Sequence, residues 1–274
     1  MKISIATINF NNAVGLKKTI ESVAAQTYRE YEHIIVDGNS TNDDSVKIIQ
    51  EYDYQQRSAQ PQTSNPIIRW ISDIDKGIYA AMNKGVRMAQ GEYILMLNSG
   101  DTLVDEHVLE RIVPQLDGTD IVHGNTIEER DGKNVQNSGY GRSEITMHDV
   151  MEGNFLHQAS FCRRDLFVRY GYFDESYTIV ADKKFFMTCL GLHDASFKYI
   201  DIDVANFDTT GISSATSGEW DEKRETEYAR LLNELFSSRL RSSVSEQTDD
   251  LLEQLQRHSW VKKITLFLLR VAGK

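Results

Sequence analysis

Tyr93-Ile94-Leu95-Met96-Leu97-Asn98-Ser99-Gly100-Asp101 decides the fold: five apolar residues run into a small polar turn that ends on a carboxylate. A short unbroken apolar run bounded by turn formers fits a buried strand. In open α/β sheets, ligands bind beyond the carboxyl ends of the strands. A strand that stops at Asn98 therefore aims Asp101 at the ligand edge. An aspartate there can hold a hard divalent cation, which keeps several waters and takes oxygens from substrate phosphates. Asn, Ser, Gly and Asp are also ordinary turn formers, each for its own reason. Taken alone, the segment is more simply a turn.

Working towards the N-terminus, the pattern repeats. Lys2 to Ile8 is β-prone and meets Asn9, Asn11 and Asn12, which suit a turn and a helix cap. Leu16, Ile20, Val23 and Ala24 recur at helical spacing and predict a helix over 13–26. His33-Ile34-Ile35-Val36 is a short strand ending at Asp37-Gly38-Asn39-Ser40-Thr41. A second helix is expected over 43–52, then a polar loop over 54–65. Ile67 to Ile71 forms a third strand followed by Asp73 and Asp75, and Ile78 to Met88 a third helix. Strand alternating with helix indicates a parallel sheet with right-handed crossovers. Three consecutive strands thus end in acids, which suggests one shared site. Beyond Asp101 we expect a helix over 109–116, a strand over 120–124 and a hairpin over 126–136 around Asp131-Gly132. A helix over 164–170, one opened by Asp182, a strand over 197–204 and a loop over 209–218 complete the pattern. There is no internal repeat.

The 274 residues suffice for one large α/β domain, with or without an appendage. Asp and Glu number 41 against 30 Lys and Arg, for a net charge of -11. That balance argues against nucleic-acid binding, which leaves a basic footprint. A nucleotide diphosphate remains open, since a metal ion can supply the positive charge. Cys162 and Cys189 lie far apart without zinc spacing, as expected of buried thiols in a reducing compartment. Neither a leader pattern at Met1-Lys2-Ile3-Ser4-Ile5 nor a run of about 20 apolar residues is seen, and the expected location is cytoplasmic. Residues 219–259 are charged and helical in pattern. In 260–274, Trp260, Ile264, Phe267, Leu268 and Val271 share one helical face, with Lys263, Arg270 and Lys274 opposite. Such a helix suits peripheral contact with an anionic membrane. Docking on its own domain or self-association is the simpler reading, since amphipathic terminal helices are common.

Residues 1 to about 215 resemble glycosyltransferase family 2. The likeness rests on Ser4-Ile5-Ala6-Thr7-Ile8-Asn9 with Val36-Asp37-Gly38-Asn39-Ser40-Thr41-Asn42-Asp43. It rests further on Asp75-Lys76-Gly77-Ile78-Tyr79-Ala80-Ala81-Met82-Asn83-Lys84-Gly85, Gly91-Glu92-Tyr93 and Asn98-Ser99-Gly100-Asp101. His157-Gln158-Ala159-Ser160-Phe161, Gly171-Tyr172-Phe173-Asp174 and Ala181-Asp182 complete it. Within the family these runs are similar to the bacterial colanic acid and exopolysaccharide transferases. The resemblance implies a GT-A type α/β fold with a mixed central sheet flanked by helices. It divides residues 1–215 into a nucleotide-binding half (about 1–101) and an acceptor half (102–215), and leaves 216–274 as a helical extension. It implies transfer of a sugar, with inversion, from a nucleotide-sugar donor such as a UDP-sugar, with Mg2+ or Mn2+. The implied acceptor is a glycan, lipid-linked, in cell-surface polysaccharide synthesis.

Carried over by position, Asp37 would hold the donor's base and Asp75 would face the nucleotide, with Asp73 in the same region. Thr7 and Asn9 would line the nucleotide pocket, and Asp101 would hold the metal. Asn98, His157 and Gln158 would lie near the donor, and Asp182 would be the catalytic base. The chain departs from the family pattern in three places. Asn98 stands where a first metal-binding Asp is common, and Ala181 replaces the Glu usual before the base. Gln256-Arg257-His258-Ser259-Trp260 lacks the Arg of the processive members' motif. Two other classes stay open: a catalytically inactive glycosyltransferase-like binding protein, and a sugar nucleotidyltransferase. The second is disfavoured by Asn9-Phe10-Asn11-Asn12, which does not suit a triphosphate-binding loop.

Overall fold

The computed structural model describes residues 2–58, 66–130, 132–152, 155–209 and 218–236. Strand and helix alternate strictly through its first half. The elements are β1 (Ile3–Asn9), α1 (Ala13–Ala24), β2 (Tyr31–Asp37), α2 (Ser45–Ser58), β3 (Ile67–Ser72), α3 (Ile78–Met88) and β4 (Tyr93–Met96). Every residue of β1, β2 and β4 is buried, which is why these strands read as apolar runs rather than as alternations. The second half holds β5 (Thr102–Leu103), α4 (Val108–Ile112), β6 (Ile121–Arg130), β7 (Lys133–Asn137) and α5 (Met147–Glu152). It continues with β8 (Ser160–Arg163), α6 (Asp165–Tyr170), α7 (Ala181–Phe186), β9 (Phe197–Phe207) and α8 (Gly218–Leu235).

The sheet order is β3-β2-β1-β4-β8-β6-β9-β5, with β7 paired to β6. β1 pairs in parallel with β2 from Ile3 opposite Tyr31 to Asn9 opposite Asp37, and with β4 from Ile3 opposite Tyr93. β8 is antiparallel to both β4 and β6, so β6 and its parallel neighbour β9 point the same way as β1 to β4. The sheet is therefore mixed, and the carboxyl ends of β1, β2, β3, β4 and β9 gather on one edge.

The expected hairpin is present: β6 and β7 pair from Thr126–Asn137 to Arg130–Lys133, but β6 is one long strand that starts at Ile121. α2 runs on to Ser58, past the expected end at 52. α7 opens at Ala181 and relaxes into a wider π-type turn over Met187–Leu192. β5, α5 and β8 carry no strong local signal and are created by pairing and packing.

Apolar burial holds the halves together. Ile3, Ile5, Leu95, Leu97, Leu109, Ile112, Phe161 and Val204 lie in one cluster, and Leu16, Ile20, Ile35, Ile49 and Tyr52 in a second beneath α1 and α2. Each such side chain contributes about 1.5–3 kcal/mol on removal from water. One buried carboxylate also splices strands. Glu32 accepts from the Ser4 hydroxyl at 2.6 Å and from the Gly91 N–H at 3.1 Å, with Arg69 Nε 3.5 Å away. Gly91 lies so near Ser4 that a Cβ would fall 2.6 Å from the Ser4 nitrogen, so the residue two before the start of β4 has to be glycine.

Cys162 and Cys189 are free and buried, and burial pushes the Cys189 thiol up to about 12. Among the described residues, no helix is long and apolar enough to cross a membrane. Internal contacts divide the chain into Met1–Tyr228 and Ala229–Lys274. The amphipathic segment 260–274 lies outside the described residues.

Candidate active site

At the ends of β1, β2 and β3, Asp37 is the hub. It is wholly buried. Oδ1 accepts from Asn9 Nδ2 at 2.8 Å and from the Ser40 hydroxyl at 2.6 Å. Oδ2 accepts from the Ser40 N–H at 2.9 Å and from the Ser72 hydroxyl at 2.7 Å. The carboxylate thus clasps three strand ends. The amide oxygen of Asn9 is buried and has no hydrogen-bond partner. Thr7, two residues back in β1, is buried in the sheet, and its hydroxyl lies 2.9 Å from His33 Nε2. Burial alone lowers His33 to about 3, so this imidazole is neutral. Phe10 stands 66% exposed just past β1, against Gly38, where a Cβ would meet its ring at 3.1 Å.

The Asn98–Asp101 turn is anchored by α1. Thr19, fully buried, donates its hydroxyl to the Asp101 carbonyl at 2.7 Å and accepts the Gly100 N–H at 3.0 Å. Gly100 has φ of 109°, a conformation L side chains rarely adopt. A Cβ there would also strike Asp208 Oδ2. Asp208 follows β9 and donates its N–H to Asp101 Oδ1 at 2.9 Å. Two carboxylates therefore meet beside the turn. Burial first raises the Asp101 carboxyl to about 7; the Asp208 N–H opposes this and the Asp208 charge reinforces it. A cavity of about 360 Å³ opens beside them, lined by Asn12, Gly15, Lys18, Gly100, Phe207 and Asp208 among others. The amide oxygen of Asn98 is buried without a partner.

Asp75 follows β3 with its side chain only 7% exposed; Oδ1 lies 2.6 Å from Lys84 Nζ. Oδ2 is buried with no hydrogen-bond donor. Asp73 is 62% exposed and lies 3.5 Å from the same lysine. Asp182, in the first turn of α7, belongs to a separate cluster: Oδ1 accepts from the Tyr79 hydroxyl and the Lys183 N–H, both at 2.9 Å. His157 holds the end of β4 with Nδ1 3.1 Å from the Met96 carbonyl, which places a proton on Nδ1. Gln158 is 3% exposed, and its amide oxygen has no partner.

Four of the expected donor-site residues, Asn9, Asp75, Asn98 and Gln158, thus carry a buried oxygen without a hydrogen-bond donor. Such groups are uncommon in folded proteins, and ligand sites are one place they are tolerated. Among the described residues, no three His, Cys, Asp or Glu side chains gather as a metal site. Asp101 with Asp208 fits a hard cation that completes its shell from phosphate and water. Sequence reasoning passed over Asp208, Thr19 and the Tyr79 hydroxyl. Tyr79 had a signal in its place within the Asp75–Gly85 run; Asp208 had none, because its contact depends on where β9 ends.

A family model described as glycosyl transferase family 2 matches residues 4–173. A PGL/p-HBAD biosynthesis glycosyltransferase of Mycobacterium bovis is 29% identical over 216 residues, which cover 78% of this chain and 79% of the relative. An uncharacterized glycosyltransferase of Mycobacterium tuberculosis is 30% identical over 228 residues, 77% of each chain. Among solved structures, S. aureus TarS 1-349 in complex with UDP-GlcNAc matches with a TM-score of 0.63 at 18% identity. It is covered over 66% of its length by 85% of this chain. The mannosyltransferase PcManGT of Pyrobaculum calidifontis, in complex with GDP-Man and Mn2+, matches at 0.62 with 15% identity, over 85% of this chain and 63% of its own. The chain spans just under two thirds of these two structures, and at such identities they establish a shared GT-A fold.

Proposed function

Since this chain belongs to glycosyl transferase family 2, we propose that its strand-carboxyl edge binds a nucleotide-diphosphate sugar, UDP-linked, and moves the sugar onto a glycan hydroxyl with inversion. The observation that carries the reading is the Asp101–Asp208 carboxylate pair, set on the same edge as the unpartnered oxygens of Asn9, Asp75 and Asn98. The nucleotide-sugars held by the two GT-A structures support it.

In this reading Asp37 serves the base end. The Ser40 and Ser72 hydroxyls that donate to it are rotors, and either can release a carboxylate oxygen to the imide N–H of uracil. Asn9 and Asp75 offer oxygens to the nucleoside, and Phe10 offers a ring face. Asp101 and Asp208 would hold a divalent cation, which supplies Lewis-acid stabilisation of the departing diphosphate. Asp182 takes the proton of the acceptor hydroxyl as that oxygen bonds to the anomeric carbon. The electron pair of the broken bond leaves on the diphosphate. A carboxylate so placed contributes about 10²–10⁴-fold. The acceptor is a lipid-linked glycan in cell-surface polysaccharide synthesis, and the basic residues within 260–274 bring the enzyme to it.

The test is thermal melting with UDP, GDP, CDP and dTDP, each with and without Mn2+, followed by nucleotide release from the matching sugar donors. Saturation near 100 times Kd adds about 2.7 kcal/mol, roughly 5–10 °C for a protein of this size. UDP with Mn2+ is expected to give the largest rise. If no nucleoside diphosphate moves the transition under either condition, the reading is wrong.

A further inference from the structure

Two α3 side chains one turn apart reach out to the segment that carries Asp182. Asn83, 1% exposed, donates to the Phe173 carbonyl and to Glu175 Oε1 at 2.9 Å each, and accepts the Phe173 N–H at 3.0 Å. Tyr79 places its hydroxyl 2.6 Å from the Ile179 carbonyl and 2.9 Å from Asp182 Oδ1. Glu227 of α8 grips the same segment, accepting the Thr178 and Ile179 N–H groups at 2.8 Å. The backbone leading into Asp182 is therefore fixed at residues 173, 178 and 179 before the carboxylate itself is held.

We propose that Tyr79 is the positioning residue of the Asp182 base and serves it in both protonation states. The proposal rests on the reading of Asp182 as the base. A phenol carries one proton and donates fully to one acceptor at a time. With Asp182 ionised, that proton belongs to Oδ1, the stronger acceptor, alongside the Lys183 N–H. Oδ2 is then the oxygen that receives the acceptor's proton. When the carboxyl has gained it, Oδ1 weakens as an acceptor, and the phenol proton turns to the Ile179 carbonyl. The buried donor is never left unpaired. Proton uptake by the base then leaves no stranded group behind.

Tyr79 remains a donor throughout. Burial, and after it the Asp182 charge, hold its phenol well above the ordinary range. The charged groups around Asp182 are otherwise matched. Lys184 pairs with Asp174 at 2.7 Å, Lys183 Nζ lies 4.0 Å from the centre of the Tyr228 ring, Glu175 takes Asn83, and Glu227 takes two backbone N–H groups. The phenol is accordingly the partner whose removal acts most directly on Asp182.

The experiment uses the full chain labelled with [γ-13C]aspartate, the Asp182 resonance being identified by its loss in Asp182→Asn. A hydrogen bond to the ionised form lowers a carboxyl pKa. Tyr79→Phe should therefore raise the Asp182 titration midpoint by about one pH unit, equivalent to about 1.4 kcal/mol. Tyr79→3,5-difluorotyrosine, a stronger donor of similar shape, should lower it; this variant decides the matter if the phenylalanine protein does not fold. The acid limb of nucleotide release should move in the same directions, with the donor KM within about two-fold. Midpoints that coincide with the parent's overturn the role of Tyr79. An inactive Asp182→Asn protein beside unmoved Tyr79 midpoints removes that role alone, whereas Asp182→Asn turnover at the parent rate removes the base and the role together.

Discussion

Asp208 donates its N–H to Asp101 and lays its carboxylate against Gly100, so the expected single-aspartate metal site has a second acid beside it. Asp208→Asn keeps the volume and the N–H but deletes the charge. It should weaken Mn2+ binding to the UDP complex by roughly 10–100-fold, comparable to the loss of a ligand-orienting group. Titration followed by the Mn2+ electron-spin signal measures this, and an unchanged affinity excludes Asp208 from the metal site. Their contact spans 107 residues of sequence, which is why no local pattern announced it. Asp37, which closes β2, and Asp75 and Asp101, a few residues beyond β3 and β4, stood out in the sequence because each accompanies a strand end. A second residue-scale prediction concerns acid. Burial lowers His33 to about 3 and His123 to about 4. The unfolded chain protonates both near 6.5, so their contribution to stability is intact above that pH and is lost as pH falls towards 4. Asp101, raised to about 7, acts oppositely and gains stability over that fall. The balance is a net uptake of about one proton on unfolding between pH 6 and 5. Urea midpoints measured without metal should fall across that window, and His123→Gln should flatten the fall; equal midpoints for the parent at both ends would contradict the assignment.

At the scale of elements, the turn after β4 owes its shape to α1. Thr19 offers one hydroxyl as donor to the Asp101 carbonyl and as acceptor for the Gly100 N–H. Thr19→Val keeps the shape and leaves both backbone groups short of a partner. The expected cost is about 1–3 kcal/mol per stranded group, with weaker Mn2+ binding because the turn no longer fixes Asp101. Thermal melting and Mn2+ titration are measured together; a drop in stability with Mn2+ affinity retained would show that the turn holds its shape without α1. The first three helices and β1, β2 and β4 were legible because each is a 3.6-residue stripe or a buried run of its own, and β3, though only partly buried, because its mainly apolar run sits between turn formers. α3 was placed at 78–88, and it is found as Ile78–Met88. β8 was not legible. Its four residues are a strand only because β4 and β6 flank them in antiparallel register. α3 shows the intermediate case. Met82 and Val86 face the core as their spacing predicts, but that Tyr79 and Asn83 hold residues about 90–100 positions away is a property of the assembled halves.

For the whole molecule, charge decides how the enzyme could reach the lipid-linked acceptor proposed for it. The chain carries a net charge of -11, yet residues 260–274 hold Lys262, Lys263, Arg270 and Lys274 and no acid. The remainder is therefore more acidic than the whole, and an anionic leaflet repels it. A lipid-linked acceptor requires the catalytic edge to work close to that leaflet, so the attraction has to come from a local basic segment. Each Lys or Arg near an anionic surface contributes about 1 kcal/mol, so four supply about 4 kcal/mol, roughly a thousand-fold in partitioning. The apolar residues of the same segment, Trp260, Ile264, Phe267, Leu268 and Val271, would add burial at the acyl boundary. Deleting residues 260–274 should abolish sedimentation with vesicles containing about one third phosphatidylglycerol. Raising salt from 50 to 500 mM should weaken the full chain's binding, as screening demands. Nucleotide binding by the truncated protein should be unchanged, since the site residues lie within 7–208. If the truncated protein sediments as the full chain does, membrane contact lies elsewhere. If truncation instead lowers the oligomeric state in sedimentation velocity and full-chain vesicle binding is absent, the segment is a contact between copies of this chain.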